Sequence, residues 1–191
     1  MGLTGGIAAG KSEALAALGR LGAAVLSADA VVHELYADGA VRDAVVARWG
    51  DELAPDGVVS RRAVASRVFG DPVERSWLEG LLWPRVGRRI GAWRAEQERR
   101  NPAPPAIVVE VPLLFEAGMD AIFDHTLVVV ADDDIRRHRA AAKGIGAIDE
   151  RAARQLPQAD KARRADFVVA NDAGLDELER SLAEVLAKLK G

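Results

Sequence analysis

Cysteine is absent from this chain of 191 residues, and lysine is scarce. Without cysteine there are no disulfides, thiolate metal sites or cysteine nucleophiles. Lysine supplies only five of the 26 basic side chains, so arginine is the ordinary cation of this protein. A basic excess is lacking as well, because the formal net charge is -3, and this argues against a general nucleic-acid-binding protein.

Long apolar runs are also missing. No stretch approaches the roughly 20 apolar residues of a membrane-spanning helix, and no signal-peptide pattern opens the sequence. Hydrophobic residues make up 49% of the chain and charged residues 29%, which is typical of a globular protein. We therefore expect a cytoplasmic enzyme, monomeric or weakly homo-oligomeric, with neither nucleic acid nor a membrane as its partner.

A glycine-rich segment near the start, Gly5 to Ser12, fits the phosphate-loop pattern G-x-x-x-x-G-K-[ST]. In that pattern a strand ends, a tight turn follows, and backbone N–H groups at the start of a helix point at phosphate oxygens. Lys11 would reach the β- and γ-phosphates as a compact charge, and the Ser12 hydroxyl would bind Mg²⁺. The alternative is a flexible turn before a helix, with nothing bound. The candidate nucleotide-binding residues are Gly6, Ile7, Ala8, Ala9, Gly10, Lys11, Ser12 and Glu13.

Short apolar runs alternate with helical patterns along the rest of the chain. The first predicted strand ends near Thr4, and buried strands are also predicted over residues 23–27, 106–111 and 126–130. Residues 167–170 are predicted to form the last strand. Strands that alternate with helices favour a parallel sheet covered on both faces. We predict a three-layer α/β fold of the phosphate-loop NTPase type, with a five-stranded parallel sheet.

Residues 41–93 have mostly helical patterns and carry a dense set of arginines. A helix is predicted to start at Asp71-Pro72, to be interrupted by Pro84, and to continue from Val86 to Arg100. Arginine binds phosphate through paired hydrogen bonds and stacks on rings, so this insertion can clamp a phosphorylated, aromatic-containing substrate. The alternative is a helical hairpin with a solvated basic face.

Acidic residues lie at the ends of three predicted strands. Asp29 follows the second strand and Glu110 lies in the third, so both belong to the carboxyl edge where open α/β sheets bind ligands. Glu110 lies where nucleotide-binding folds place an acidic group near Mg²⁺. Asp29 could equally cap the helix predicted over residues 30–36. We expect the triplet Asp132-Asp133-Asp134 to cap a helix rather than to bind a metal, since adjacent acids point different ways.

A basic helix follows that triplet. Arg139 and Lys143 are four residues apart and share a face, Gly144-Ile145-Gly146 breaks the helix, and a second helix is predicted from Asp149 through Gln158. Two helices joined by a flexible break, with cations on one side, are what a closing lid requires. The alternative is an ordinary basic helical hairpin.

Together these features are the parts of a small-molecule kinase: a phosphate loop, an acid on the neighbouring strand edge and a basic lid. A G protein would need an Asn-Lys-x-Asp sequence, which is absent. A motor or unwinding ATPase would normally carry Asp-Glu after the third strand, where this chain has Pro112-Leu113-Leu114. Two alternatives stay open at this point: another phosphate-loop kinase, acting on a nucleotide or sugar, and a module that binds nucleotide without chemistry.

Several separated segments resemble the dephospho-CoA kinase family, and the resemblance covers nearly the whole chain. These segments are, in order, Leu3–Ser12, Ala28-Asp29, Arg61–Phe69 with Leu81-Leu82 and Pro84, Val111–Glu116, and Gln158 with Ala165–Val168 and Asn171. The resemblance implies ATP-dependent phosphorylation of the ribose 3′-hydroxyl of dephospho-CoA, which is the last step of coenzyme A synthesis.

The resemblance also implies roles for individual residues. Asp29 would be the base that orients or deprotonates the acceptor hydroxyl, and Lys11 and Ser12 would hold ATP and Mg²⁺. Arg139 would be the lid arginine, and together with Asn171 it would bind the nucleotide. The residues expected to contact dephospho-CoA are Thr4, Asp29, His33, Arg62, Leu113 and Leu114.

The chain departs from the family pattern at four positions. Ser27 replaces a usual Asp, Glu13 a usual Thr, Trp83 a usual His and Lys143 a usual Arg. None of these changes removes Asp29, Lys11 or Arg139, so we expect activity. The predicted domains are a nucleotide-binding core of residues 1–40, 104–132 and 160–191, a helical subdomain for the CoA substrate over 41–103, and a lid over 133–159.

Overall fold

A computed structural model of the chain describes residues 1–142, 144 and 155–189. Its five strands form one parallel sheet in the order β2-β3-β1-β4-β5. The strands are β1 (Gly2–Gly5), β2 (Ala24–Ser27), β3 (Ile107–Glu110), β4 (Thr126–Val130) and β5 (Phe167–Ala170). The predicted α/β fold with a five-stranded parallel sheet is confirmed.

In the described part of the chain, α-helices lie between all consecutive strands except β3 and β4, in keeping with the long connections that parallel pairing needs. They are α1 (Lys11–Arg20), α2 (Ala28–Leu35), α3 (Gly39–Trp49), α4 (Arg61–Val68), α5 (Pro72–Glu98), α6 (Asp133–Ala142), α7 (Gln158–Arg164) and α8 (Leu175–Lys188). Short 3₁₀ turns lie at Asp51–Leu53, Pro55–Gly57 and Asp120–Ile122.

Contacts between residues divide the chain into two compact units. The core unit comprises Met1–Ser27 and Gln97–Gly191 and contains the whole sheet, and the helical unit comprises Ala28–Glu96. The three-part division predicted from the sequence, with its separate lid, stays a prediction.

The core of the core unit lies between the sheet and two helices. Leu3 of β1 and Leu127 of β4 are completely buried, as central strands covered on both faces must be. Leu18 of α1 and Leu182 of α8 are also completely buried and belong to the same apolar cluster. Each of these helices therefore presents its apolar side to the sheet, and this packing fixes the start of α1 at the end of β1.

The register of the sheet places the candidate site. Leu3 lies opposite Glu110 of β3 and opposite Leu127 of β4, so β1 runs between these two strands. The loop from Gly5 to Ser12 leaves β1 at the carboxyl edge, which is the ligand-binding edge of open α/β sheets.

The predicted interruption at Pro84 is wrong, because α5 continues through it. A proline inside a helix removes one N–H donor and crowds the carbonyl four residues earlier, which here belongs to Gly80. The Arg85 guanidinium donates to the next carbonyl along, that of Leu81, at 2.8 Å. Apart from the bond that the proline cannot make, α5 runs on as one helix from Pro72 to Glu98.

The second helix of the predicted lid lies partly outside the described residues, as do Lys143, Ile145 and Gly146. Within the described part, residues 155–157 are not helical, so the prediction of a helix that runs through Gln158 is wrong there. Pro157 instead precedes α7, in the N-cap position. A proline restricts the residue before it to extended conformations, which accounts for the break.

Candidate functional site in the core unit

The phosphate loop has a conformation that leaves backbone donors at the start of α1 without side-chain caps. Gly10 has a φ of 100°, in the left-handed region that favours glycine, and no side chain caps the helix there. A Cβ atom at this position would overlap the amide nitrogen of Asn171. The first N–H groups of a helix have no intrahelical acceptors, so the start of α1 offers donors to an anion.

Lys11 folds back over the loop that it follows. Its Nζ atom donates to the carbonyl oxygens of Gly5 and Gly6, at 3.2 and 3.0 Å. Ser12 and Glu13 are exposed in the first turn of α1. The lysine ammonium is therefore held against the backbone of the loop. Ser12, the predicted Mg²⁺ ligand, is the next residue in the chain.

Asn171 ties the loop to the predicted lid arginine. It is buried, and its Nδ2 atom donates to the carbonyl of Ala9 at 2.9 Å. Its own backbone carbonyl accepts a hydrogen bond from Arg139 Nη1 at 3.0 Å. The structure thus brings Arg139 and Asn171 together at the loop, although the amide group of Asn171 serves the loop backbone here.

Arg136 is a site residue that the sequence reasoning missed. Its Nε atom donates to the carbonyl of Ile7 at 3.0 Å, and its guanidinium pairs with Asp133 at 2.8 Å. Together with Gly6, Ile7 and residues 155–158, it lines a cleft of about 230 Å³ beside the loop. A signal was available, because Arg136 lies three residues before Arg139 and so shares its helix face.

An acidic group lies beside β1 at the same edge of the sheet. Glu110 is only 7% exposed, and its Oε2 atom accepts a hydrogen bond from the Ser27 hydroxyl at 3.0 Å. Ser27 is also its register partner on β2. Ser27, which departs from the resembled pattern, therefore acts as a donor that orients Glu110.

Similar sequences and this fold also occur in known proteins. The family model described as dephospho-CoA kinase matches residues 1–177. The chain belongs to the dephospho-CoA kinase family. The resemblance inferred from the sequence is confirmed.

Individual relatives of this family match over almost the whole chain. A dephospho-CoA kinase of Anaeromyxobacter dehalogenans is 41% identical and covers 100% of this chain and 92% of its own length. One from Symbiobacterium thermophilum is 40% identical, with coverages of 98% and 78%. A crystal structure of TT1252 from Thermus thermophilus has a TM-score of 0.82 at 34% identity, covering 100% of this chain and 97% of its own. The dephospho-CoA kinase from Campylobacter jejuni, at 22% identity, shares the fold with a TM-score of 0.70, covering 98% and 95%.

Not every residue that the family resemblance singled out faces the loop. Thr4 is completely buried, and its hydroxyl donates to the carbonyl of Pro112 at 3.2 Å. Leu114 is also completely buried, whereas Leu113 is partly exposed. Thr4 and Leu114 thus have packing roles in this structure, and substrate contact by any of the three stays a prediction.

The remaining predicted residues lie in the helical unit. Asp29 is the second residue of α2 and is exposed, so it stands within the first helical turn rather than at the N-cap. His33, further along α2, and Arg62, in α4, are exposed as well. Their roles toward a substrate stay predictions.

The acidic triplet after β4 behaves as a cap. The carboxylate of Asp132 accepts a hydrogen bond from the Asp134 N–H at 2.8 Å, which confirms the predicted capping of α6. No group of three or more His, Cys, Asp or Glu residues suited to a metal occurs in the described part of the chain.

Proposed function

We propose that this protein transfers the γ-phosphoryl group of ATP to the ribose 3′-hydroxyl of dephospho-CoA, giving coenzyme A and ADP. Its relatives are named dephospho-CoA kinase, and the matched family bears the same description. The observation that carries the proposal is the loop from Gly5 to Ser12, with Lys11 over its carbonyls and Arg139 docked beside it through Asn171.

The loop would bind the phosphates mainly through its backbone. Phosphoryl transfer needs positioning and charge stabilisation more than covalent chemistry, and oriented N–H groups supply both. Lys11 would exchange its two carbonyl contacts for the terminal phosphates, where a compact ammonium can follow the moving charge. Arg139 would stabilise the charge that spreads over the transferred group.

We also propose a Mg²⁺ site at this edge of the sheet. The oxygen donors present fit the ion, which prefers one or two protein oxygens, water and substrate phosphates over a cage of side chains. The Ser12 hydroxyl would hold it, and the buried Glu110 carboxylate lies at the end of β3, on the same edge of the sheet as the loop. When bound, the ion neutralises charge on the phosphate oxygens.

On the acceptor side, Asp29 is the proposed base for the 3′-hydroxyl. A carboxylate that accepts the hydroxyl proton as the oxygen attacks would make the alcohol a better nucleophile. His33, Arg62 and Leu113 are proposed contacts for dephospho-CoA, as the family resemblance implies.

A cytoplasmic location and a monomeric or weakly homo-oligomeric state remain predictions from the sequence. The described residues include no helix that is long and apolar enough to cross a membrane.

A coupled assay of ADP release, with and without dephospho-CoA, tests the proposal. We expect release to depend on dephospho-CoA and to be abolished by Lys11→Ala, because the terminal phosphates then lose their compact charge. Lys188→Ala, an exposed lysine near the end of α8, is the matched control and should behave like the wild type. Full activity of Lys11→Ala would contradict the role of the phosphate loop.

The same assay separates the alternatives. ADP release with a nucleotide or sugar acceptor, but not with dephospho-CoA, would favour another phosphate-loop kinase. ATP binding without acceptor-dependent ADP release under any condition would favour a non-catalytic nucleotide-binding module.

A further inference from the structure

A buried ion pair lies in the core unit, outside the machinery described so far. Lys161 of α7 is 0% exposed, and it is the only completely buried cationic side chain in the described part of the chain. Its Nζ atom lies 3.0 Å from Oε1 of Glu116, whose side chain is 13% exposed. We refer to Lys161 and Glu116 as the buried pair.

Packing alone gives no reason for two charges at this place. Taking both charges out of water is costly, and an apolar pair of similar volume is often as stable or more stable. The other Glu116 oxygen, Oε2, is buried and has no hydrogen-bond partner among the described residues, so the pair is not even fully satisfied. The surface pair Arg20–Glu179, at 50% and 36% exposure, has no such cost.

The lysine half of the pair holds the segment that follows β3. Lys161 Nζ donates to the carbonyl of Pro112 at 2.9 Å. The same carbonyl accepts the Thr4 hydroxyl from β1, the strand that leads into the phosphate loop. Pro112 is therefore fixed from both sides. It directly precedes Leu113, which is a proposed contact for dephospho-CoA.

The glutamate half holds a wall of the nucleotide cleft. Glu116 Oε1 accepts a hydrogen bond from the Leu156 N–H at 2.8 Å, in addition to the lysine contact. Leu156 lines the cleft beside Gly6 and Ile7 of the phosphate loop. One carboxylate oxygen thus links the cleft wall to the segment after β3.

We propose that Lys161 and Glu116 are positioning residues that fix the cleft wall at Leu156 and the acceptor-side segment at Pro112 relative to each other. The inference rests on the proposed kinase function and deepens it. Glu116 acts on the ATP side through Leu156, and Lys161 acts on the dephospho-CoA side through Pro112. Neither residue touches the reacting atoms in this assignment.

Two charge-free double variants separate these effects from a merely structural role. Glu116→Leu/Lys161→Met removes the acceptor of the Leu156 N–H, whereas Glu116→Gln/Lys161→Met keeps an oxygen there. Both replace the pair with side chains of similar volume, so both should melt near the wild-type temperature. Arg20→Met/Glu179→Leu, at the surface pair of the same unit, is the matched control.

The proposal predicts different kinetic signatures for the two variants. With Leu at position 116, we expect a KM for ATP at least tenfold higher and amide exchange at Leu156 at least tenfold faster. With Gln there, both quantities should stay near the wild-type values, while the KM for dephospho-CoA rises severalfold because Pro112 has lost its lysine donor. The control should change none of them.

Several results would overturn the inference. Wild-type kinetics and Leu156 exchange in the Leu/Met variant would show that the pair positions nothing on the ATP side. An unchanged KM for dephospho-CoA in the Gln/Met variant would show that Lys161 does not position the dephospho-CoA side through Pro112. If neither variant folds, fast exchange of Leu156 in the wild type would contradict the proposed link, and slow exchange would support it. If the wild type releases no ADP with dephospho-CoA, the proposed function fails, and Leu156 exchange alone decides whether the pair fixes the cleft wall.

Discussion

Arg136 and Arg139 stand one turn apart on α6, yet they hold different parts of the candidate site. Arg136 donates to the carbonyl of Ile7 in the phosphate loop, whereas Arg139 donates to the carbonyl of Asn171. The first contact fixes loop backbone, which a bound nucleotide needs in the ground state and the transition state alike. The second leaves Arg139 next to the loop, where it can exchange a carbonyl for a phosphate oxygen.

These contacts predict that alanine variants of the two arginines change different kinetic constants. Arg139→Ala should lower kcat by about 10²-fold, with a much smaller effect on ATP binding, because transition-state charge loses a donor. Arg136→Ala should raise the KM for ATP by roughly tenfold at nearly unchanged kcat, as loss of uniform binding does. Steady-state kinetics and equilibrium ATP binding measure both. Equal losses of kcat in the two variants would contradict the separate roles.

The residue scale also shows what the sequence could and could not predict. Lys11 and Gly10 were found because the phosphate loop constrains spacing within a few residues. Arg136 shares a helix face with Arg139, but its partner, the carbonyl of Ile7, lies 129 residues away in the chain, so the sequence did not show which part of the site it contacts. The role of Ser27 was missed for the same reason, since its partner Glu110 lies on a neighbouring strand.

At the scale of elements, one carboxylate joins the starts of β4 and β5. Asp166 accepts hydrogen bonds from the Thr126 N–H at 2.7 Å and from the Thr126 hydroxyl at 2.8 Å. The Thr126 hydroxyl is the main cause of a lowered pKa for Asp166, and the Thr126 N–H adds to it. The ionised carboxylate is therefore favoured in the folded chain.

This contact predicts a pH-dependent difference in stability. Because the pKa of Asp166 is lower in the folded chain than in the unfolded chain, its contribution is complete above about pH 4 and is lost as the pH falls through the folded-state pKa. Asp166→Asn should therefore melt about 2 °C lower than the wild type at pH 7. The difference should shrink toward pH 3. Thermal unfolding across this range measures it.

The exposed residue Asp124, two positions before Thr126, supplies the control for that comparison. Asp124→Asn should leave the melting temperature unchanged at both ends of the range. An Asp166→Asn difference that persisted undiminished in acid would show that the carboxylate charge is not what stabilises the strand pair.

The elements themselves were predicted with uneven success. The sequence-based bounds of β4 and β5 coincide with the structure, because short apolar runs between polar turns mark strands clearly. The interruption predicted at Pro84 was wrong, because a proline removes one hydrogen bond and this alone does not decide whether a long helix ends there. The strand order was not predicted either, because periodicity carries no information about which strands are neighbours.

At the scale of the whole molecule, the proposed catalytic groups are divided between two compact units. The phosphate loop, Arg139 and Asn171 belong to the core unit, whereas Asp29 belongs to the helical unit. The chain connection is short, because β2 ends at Ser27 and α2 begins at Ala28. The helix that carries the proposed base therefore follows directly from a strand of the sheet.

Asp29→Asn tests whether the two units share one reaction. If Asp29 is the base for the acceptor hydroxyl, the variant should lower kcat by about 10²–10⁴-fold, which is the usual worth of a positioned general base. ATP binding should be unaffected, since the nucleotide contacts proposed here lie in the core unit. Asp43→Asn, at an exposed aspartate of α3, is the matched control within the helical unit and should retain wild-type turnover. Normal turnover of Asp29→Asn would reduce Asp29 to a favourable charge at the start of α2, and the acceptor hydroxyl would then need another base.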